Sequence, residues 1–153
     1  MPSVLERLSE MGLELPSRRS AGQYVGAVRS GDLVFVSGAG PVGPEGMVTG
    51  KLGVDLDVAS GQEAARLCAL NCLSALQEIL GDLDQVSRIV KVLAFVNSGP
   101  GFSQQHVVVD GASSFLLELF GDRGAHARSS VGVAELPFNI AVEVEMIVEV
   151  AGE

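Results

Sequence analysis

The chain has 153 residues and a formal net charge of −9, with nineteen acidic residues against ten basic ones; 47% of residues are hydrophobic and 19% charged. This length suits one domain, residues 1–153, with a sizeable core, and the composition excludes a disordered chain. No apolar run approaches the roughly 18 residues of a membrane-spanning helix. The start, Met1-Pro2-Ser3-Val4-Leu5-Glu6-Arg7, lacks a basic stretch followed by an apolar one, so no signal peptide is expected and a cytoplasmic location is the default.

The acidic balance repels phosphate backbones, and Arg18-Arg19 is the only local basic pair. One Tyr, six Phe and no Trp make a poor base-stacking platform. Nucleic acid is therefore not an expected partner.

Residues 3–11 read as a short amphipathic helix, because Ser3 and Glu6 fit a capping box and Gly12 can end it. Residues 13–23 read as a loop, and residues 1–20 as an N-terminal extension. Strands at 24–29 and 33–37 flank the turn Ser30-Gly31-Asp32 and predict a hairpin. Residues 38–50 contain five Gly and two Pro and read as a long loop. Gly38-Ala39-Gly40-Pro41-Val42-Gly43 literally fits a dinucleotide-binding pattern. Pro41, Pro44 and Gly46 deny it the helix that holds the pyrophosphate, so a ligand- or subunit-facing loop is the better reading.

Residues 58–80 carry the strongest helical periodicity, ended by Gly81. Cys68 and Cys72 lie on one face of this helix and read as small buried side chains. His106 and His126 sit in separate segments, and no metal-binding spacing joins them to the cysteines. Residues 88–97 form a near-continuous β-branched run, which predicts a strand buried on both faces. A second helix is expected at 103–120, weakened in its middle by Gly111. Strands at 127–134 and 140–150 follow, joined around Pro137. The order α, β, β, α, β, α, β, β predicts an α+β fold, with one sheet covered on one face by two long helices.

The last strand alternates cleanly. Val142, Val144, Met146, Val148 and Val150 point one way, and Glu143, Glu145 and Glu149 the other. In the preceding strand Arg128 and Ser130 share a face opposite Ser129, Val131 and Val133. If the valines of both strands turn toward the helices, Arg128, Ser130, Glu143 and Glu145 share the outer face. That arrangement is either a surface ion pair or an anion-binding arginine beside an acid–base glutamate.

The segment Ala127-Arg128-Ser129-Ser130-Val131-Gly132-Val133-Ala134-Glu135-Leu136-Pro137, followed by Val142-Glu143-Val144-Glu145, resembles the signature of the RidA (YjgF) family, also called L-PSP endoribonuclease-like. Tyr24, Val36-Ser37-Gly38 and Pro41-Val42 add to the resemblance, which covers roughly residues 20 to 150; the N-terminal helix and the Gly/Pro loop resemble a longer subgroup. The resemblance implies a chorismate-mutase-like fold, a homotrimer, and clefts between subunits. It implies hydrolysis of reactive 2-enamino and 2-imino acids to 2-keto acids and ammonia, without metal or cofactor. Arg128 would hold the substrate carboxylate, Glu143 would position water, and Tyr24, Ser37, Gly38 and Ser130 would line the site. Two departures stand out: Ser130 replaces the usual Cys, and Gly132 a usual charged residue. The main alternative is a non-catalytic trimer that binds a small carboxylate as a regulator. A ribonuclease is opposed by the acidic charge and by the lack of a paired-histidine site.

Overall fold

A computed structural model describes residues 1–17 and 22–152. The pair Arg18-Arg19 lies outside the described residues. Helix α1 (Val4–Glu10) carries the capping box: Ser3 Oγ accepts from Glu6 N at 3.1 Å, and Ser3 N donates to Glu6 Oε2 at 2.6 Å. A five-stranded sheet follows the order β1 (Ala27–Ser30), β2 (Leu33–Ala39), β7 (Val142–Val150), β5 (Val86–Asn97), β6 (Ala127–Val133). All neighbours are antiparallel except β5 and β6, which are parallel and joined through α3 (Gln105–Phe120). Helices α2 (Val58–Leu80) and α3 pack together on one face. The α+β expectation therefore holds. No helix among the described residues is long and apolar enough to cross a membrane.

Two expected boundaries move. Tyr24 does not open a strand, because pairing with β2 begins only at Ala27 opposite Val36. The expected 38–50 loop instead lengthens β2 through Ala39 and then forms a small hairpin of β3 (Val42–Gly43) and β4 (Gly46–Met47). The Pro44-Glu45 turn closes onto Gly46, whose φ of 102° suits glycine.

The β7 residues Val142, Val144, Met146, Val148 and Val150 are all at most 2% exposed and lie on the helix side. Against them pack Cys68 and Cys72 of α2, also fully buried, whose thiols donate to Val142 O and Val144 O at 3.2 and 3.3 Å. Burial, helped by Cys72 and Glu143, pushes the Cys68 thiol well above its ordinary value, which suppresses the thiolate. The outer face carries apolar side chains among its charged ones: Phe35, Val28 and Val131 are 45%, 53% and 43% exposed. Phe35 pairs with Ile147, and Phe95 with Glu143.

Gly111 sits where α3 meets the backbone of α2. A Cβ there would lie 2.7 Å from Gln62 Cα and closer still to its carbonyl. Gln62 also donates from Nε2 to Val107 O at 3.0 Å, clamping the two helices. The glycine thus weakens the helix locally but permits the crossing. Gly111→Ala should gain up to about 1 kcal/mol of helix propensity and lose about 1–3 kcal/mol to overpacking against rigid backbone. A net fall in the urea unfolding midpoint is expected; a rise would show that the helices separate without cost.

Candidate functional site

At the end of the sheet where β7 begins, a cleft of about 540 Å3 opens. Tyr24, Gly38 and Glu143 line it, so three of the sequence-derived candidates converge. Gly38 lets the carboxyl lie against the backbone: a Cβ on it would stand 2.9 Å from Glu143 Cδ and 3.0 Å from Oε2, so the Glu143 side chain would have to move. The β2 register shifts between Val36 and Ala39, so a bulge brings the Gly38 backbone to the carboxyl. Ser37 sits in the same bulge, and its Oγ donates to Val25 O at 2.7 Å, which fixes the segment between Tyr24 and β1. Glu143 is half-buried. Burial first, and then the Glu145 charge, push its carboxyl above the ordinary value of 4.5.

Arg128 and Ser130 do not join this cleft, and the shared outer face is overturned. In the parallel ladder Arg128 pairs with Val92 and Ser130 with Ala94, both fully buried on the helix side. Val131 pairs with Phe95, which also pairs with Glu143, on the outer side. The valine rule fails at β6 because the outer face is itself apolar and accepts Val131.

Helix α3 holds Arg128 instead. Its Nη1 donates to Asp110 Oδ1 at 2.8 Å and to Ser113 Oγ at 3.1 Å, and Nη2 donates to His106 O at 3.2 Å. His126 Nδ1 lies 2.6 Å from Gly124 O, which can only accept, so Nδ1 carries the proton. In the neutral ring Nε2 then accepts from the Ser113 hydroxyl at 2.9 Å. These contacts leave Arg128 Nε without a partner among the described residues, on a side chain 23% exposed. The Nε–Nη2 edge of a guanidinium is one of its two bidentate faces. The Ser130 hydroxyl is buried without a hydrogen-bond partner among the described residues.

Sequence reasoning missed the groups that position these side chains. His106, Asp110 and Ser113 lie four and three residues apart, a helix-face spacing that was readable. Less readable is the turn after β6. Asn97, fully buried, donates from Nδ2 to Asn139 Oδ1 and Ile140 O, both at 3.1 Å. Lys51 Nζ donates to Asn97 Oδ1 at 2.9 Å and to Ala134 O, and pairs with Glu135 at 3.3 Å. This network holds Phe138 and Asn139 at φ of 60° and 57°. For a bulky residue such as Phe138 that conformation costs about 1–3 kcal/mol and marks functional surfaces. Phe138 stands 67% exposed at the cleft. Among the described residues no group of three or more His, Cys, Asp or Glu could hold a metal ion.

The sequence matches the family described as Endoribonuclease L-PSP over residues 16–150. The chain belongs to this L-PSP (RidA/YjgF) family. It is 48% identical over 149 residues to Protein TCP17 of Trypanosoma cruzi, covering 95% of this chain and 93% of that protein. The crystal structure of Atu1372 from Agrobacterium tumefaciens, a protein of unknown function, matches at a TM-score of 0.90 and 44% identity, over 97% and 94% of the two chains. A putative endoribonuclease from Shewanella oneidensis matches at 0.94 and 30% identity, over 97% and 100%. In this L-PSP chain the Arg-Ser-Ser-Val motif falls on the edge strand β6, and the Glu of the second motif falls in the cleft.

The raised Glu143 carboxyl gives a pH signature. It is tolerated while protonated and costs folding free energy once ionised. Wild type and Glu143→Gln should therefore match below the ordinary carboxylate range. As pH rises above 4.5 and through the raised value, wild type should fall behind the variant. Denaturant midpoints at about pH 4 and about pH 7 read the effect; a gap that is equal at both, or wider in acid, contradicts it.

Proposed function

We propose that the protein hydrolyses reactive 2-imino and 2-enamino acids to 2-keto acids and ammonia, at sites that join Arg128 of one copy to the Tyr24–Gly38–Glu143 cleft of another. One observation carries this reading. Arg128 is held by Asp110, Ser113 and the His106 carbonyl with its Nε unpaired among the described residues, while Glu143, with its raised carboxyl, sits two strands away on the opposite face. An arginine prepared for a carboxylate and a glutamate prepared for proton transfer are separated within one chain, so a second copy must unite them.

The apolar outer face supports assembly, since Phe35, Val28 and Val131 form an exposed surface suited to burial against other copies. A cyclic homotrimer is the proposed state. The substrate carboxylate would bind side-on to Arg128, which fixes C2 near a water held by Glu143. Glu143 takes a proton from the water as its oxygen bonds to C2 of the imine. That proton passes to nitrogen to give the carbinolamine; Glu143 then takes the carbinolamine hydroxyl proton and delivers it to nitrogen as the C–N bond breaks, so ammonia leaves and C2 becomes the carbonyl of a 2-keto acid. An enamine enters after protonation at C3 gives the imine. A carboxyl raised toward neutral pH suits both halves of this cycle. RNA cleavage fits less well, because a net charge of −9 opposes a phosphate backbone.

Imines generated in situ with an amino-acid oxidase test the reaction. Arg128→Ala should abolish turnover with the fold intact, and Arg128→Lys should lose most of it, because Lys lacks the fork. Glu143→Gln should bind 2-keto acids yet slow turnover at least tenfold, about 1.4 kcal/mol of barrier. Wild-type rates in Arg128→Ala would refute the assignment. Light scattering at micromolar concentration should show a trimer; monomer alone would remove the shared site.

A further inference from the structure

The cleft around Glu143 has walls that a three-carbon substrate does not use. From them we infer that this site selects 2-imino and 2-keto acids with a bulky apolar side chain, branched-aliphatic or aromatic, over those as small as 2-aminoacrylate or pyruvate. The inference rests on the function proposed above and names the substrate class of the same site. The first support is the lining. Glu143, Tyr24, Ser17 and Asn71 are the polar side chains that line the cleft; Val42, Met47, Phe138 and Ile140 make up most of the remaining wall and offer no charge and no side-chain hydrogen bond. In a single chain the cleft measures about 540 Å3 before a second copy brings Arg128 to it.

The second support is that these walls are fixed before any ligand arrives. Asn71 of α2 is 5% exposed and donates from Nδ2 to Val42 O at 2.9 Å and to Gly40 O at 3.3 Å, which ties the base of the β3–β4 hairpin to the helix. Val48 N donates to Pro41 O at 3.1 Å and Ala141 N to Val48 O at 3.1 Å, so Met47 is anchored on its other side. Phe138 is held by the Asn97–Asn139 contact described above. Val42, Met47 and Phe138 are 41%, 44% and 67% exposed in a single chain, so their side chains are accessible to a ligand that enters the cleft. A ligand side chain placed between the hairpin and Phe138 would cover all three. A preformed apolar pocket gains about 10- to 200-fold per methylene it buries in discrimination between ligands.

The test is calorimetric titration of the full-length protein with pyruvate, 4-methyl-2-oxopentanoate and phenylpyruvate. The two larger acids should bind at least about tenfold more tightly than pyruvate. Met47→Asp, at an exposed hairpin position, and Phe138→Gly, which relieves a strained backbone, should each bring that ratio toward one. Circular dichroism checks that both variants are folded. Equal affinities in wild type overturn the inference, as does a ratio that survives both variants. If all three acids bind alike and Arg128→Ala abolishes them, the selectivity is wrong and the carboxylate site stands. If no acid binds, both readings fall together.

Discussion

The two-residue period of β7 is the constraint from which the rest of the molecule follows. Valines and a methionine on one side give α2 and α3 a surface to cover, and glutamates on the other cannot go under helices. Because β7 lies between β2 and β5, its sidedness is imposed on both neighbours through the ladder. Phe35 and Phe95 are thereby placed beside Ile147 and Glu143 on the outer face. The same period puts Glu143 at the strand's start, where the β2 bulge brings the Gly38 backbone against its carboxyl. A carboxyl so enclosed loses hydration, and the next outward residue, Glu145, repels it, so the sheet pattern itself raises its proton affinity.

Arginine 128 obeys a different logic. It lies on an edge strand, where one flank has no partner strand and long side chains can reach past the sheet. Its charge on the helix side would be expensive without partners, and α3 supplies a carboxylate, a hydroxyl and a carbonyl within about two turns. Ser113 in turn leans on His126, whose ring is oriented by the Gly124 carbonyl. The result is a guanidinium fixed by its terminal nitrogens. A fixed fork loses less entropy on meeting a carboxylate than a free arginine does.

What was legible in the sequence was whatever repeats. Residues 58–80 and the alternation of β7 were plain from spacing, and the structure reproduces both. The Ser3–Glu6 box was readable because its two bonds depend on residues three apart. The face carrying Arg128 was not readable. Apolar residues facing outward are an oddity for a lone sheet, and a sequence does not say that this sheet carries apolar side chains on both faces. Phe138 and Asn139 were hidden for another reason: their backbone is set by Lys51 and Asn97, distant in sequence, and no local pattern announces a contact across 42 or more residues. Gly111 looked like a defect in a helix, and only the backbone of Gln62 explains it.

Those distant contacts also explain why the proposed chemistry and the proposed assembly depend on each other. An outer face bearing Glu143 and Glu145 cannot be covered by other copies without dehydrating both acids. Lys91 is on that face, opposite Ile147 and next to Leu93, whose partner is Glu145, so a cation is close to the second acid. Glu143 has no comparable cation on its own strands. In the assembly proposed above, its surroundings would be completed by an arginine from another copy, at a distance set by a substrate carboxylate between them. In such a site the arginine alone would lower the proton affinity of the glutamate, and a substrate carboxylate set between them would offset that charge, leaving burial to keep it raised while substrate is bound. A group that must first take a proton from water and then return it to nitrogen needs a value that is poised and not extreme. Burial from its own chain and charge from another are two opposing settings of that value, and the split of the two motifs across the sheet is what permits both.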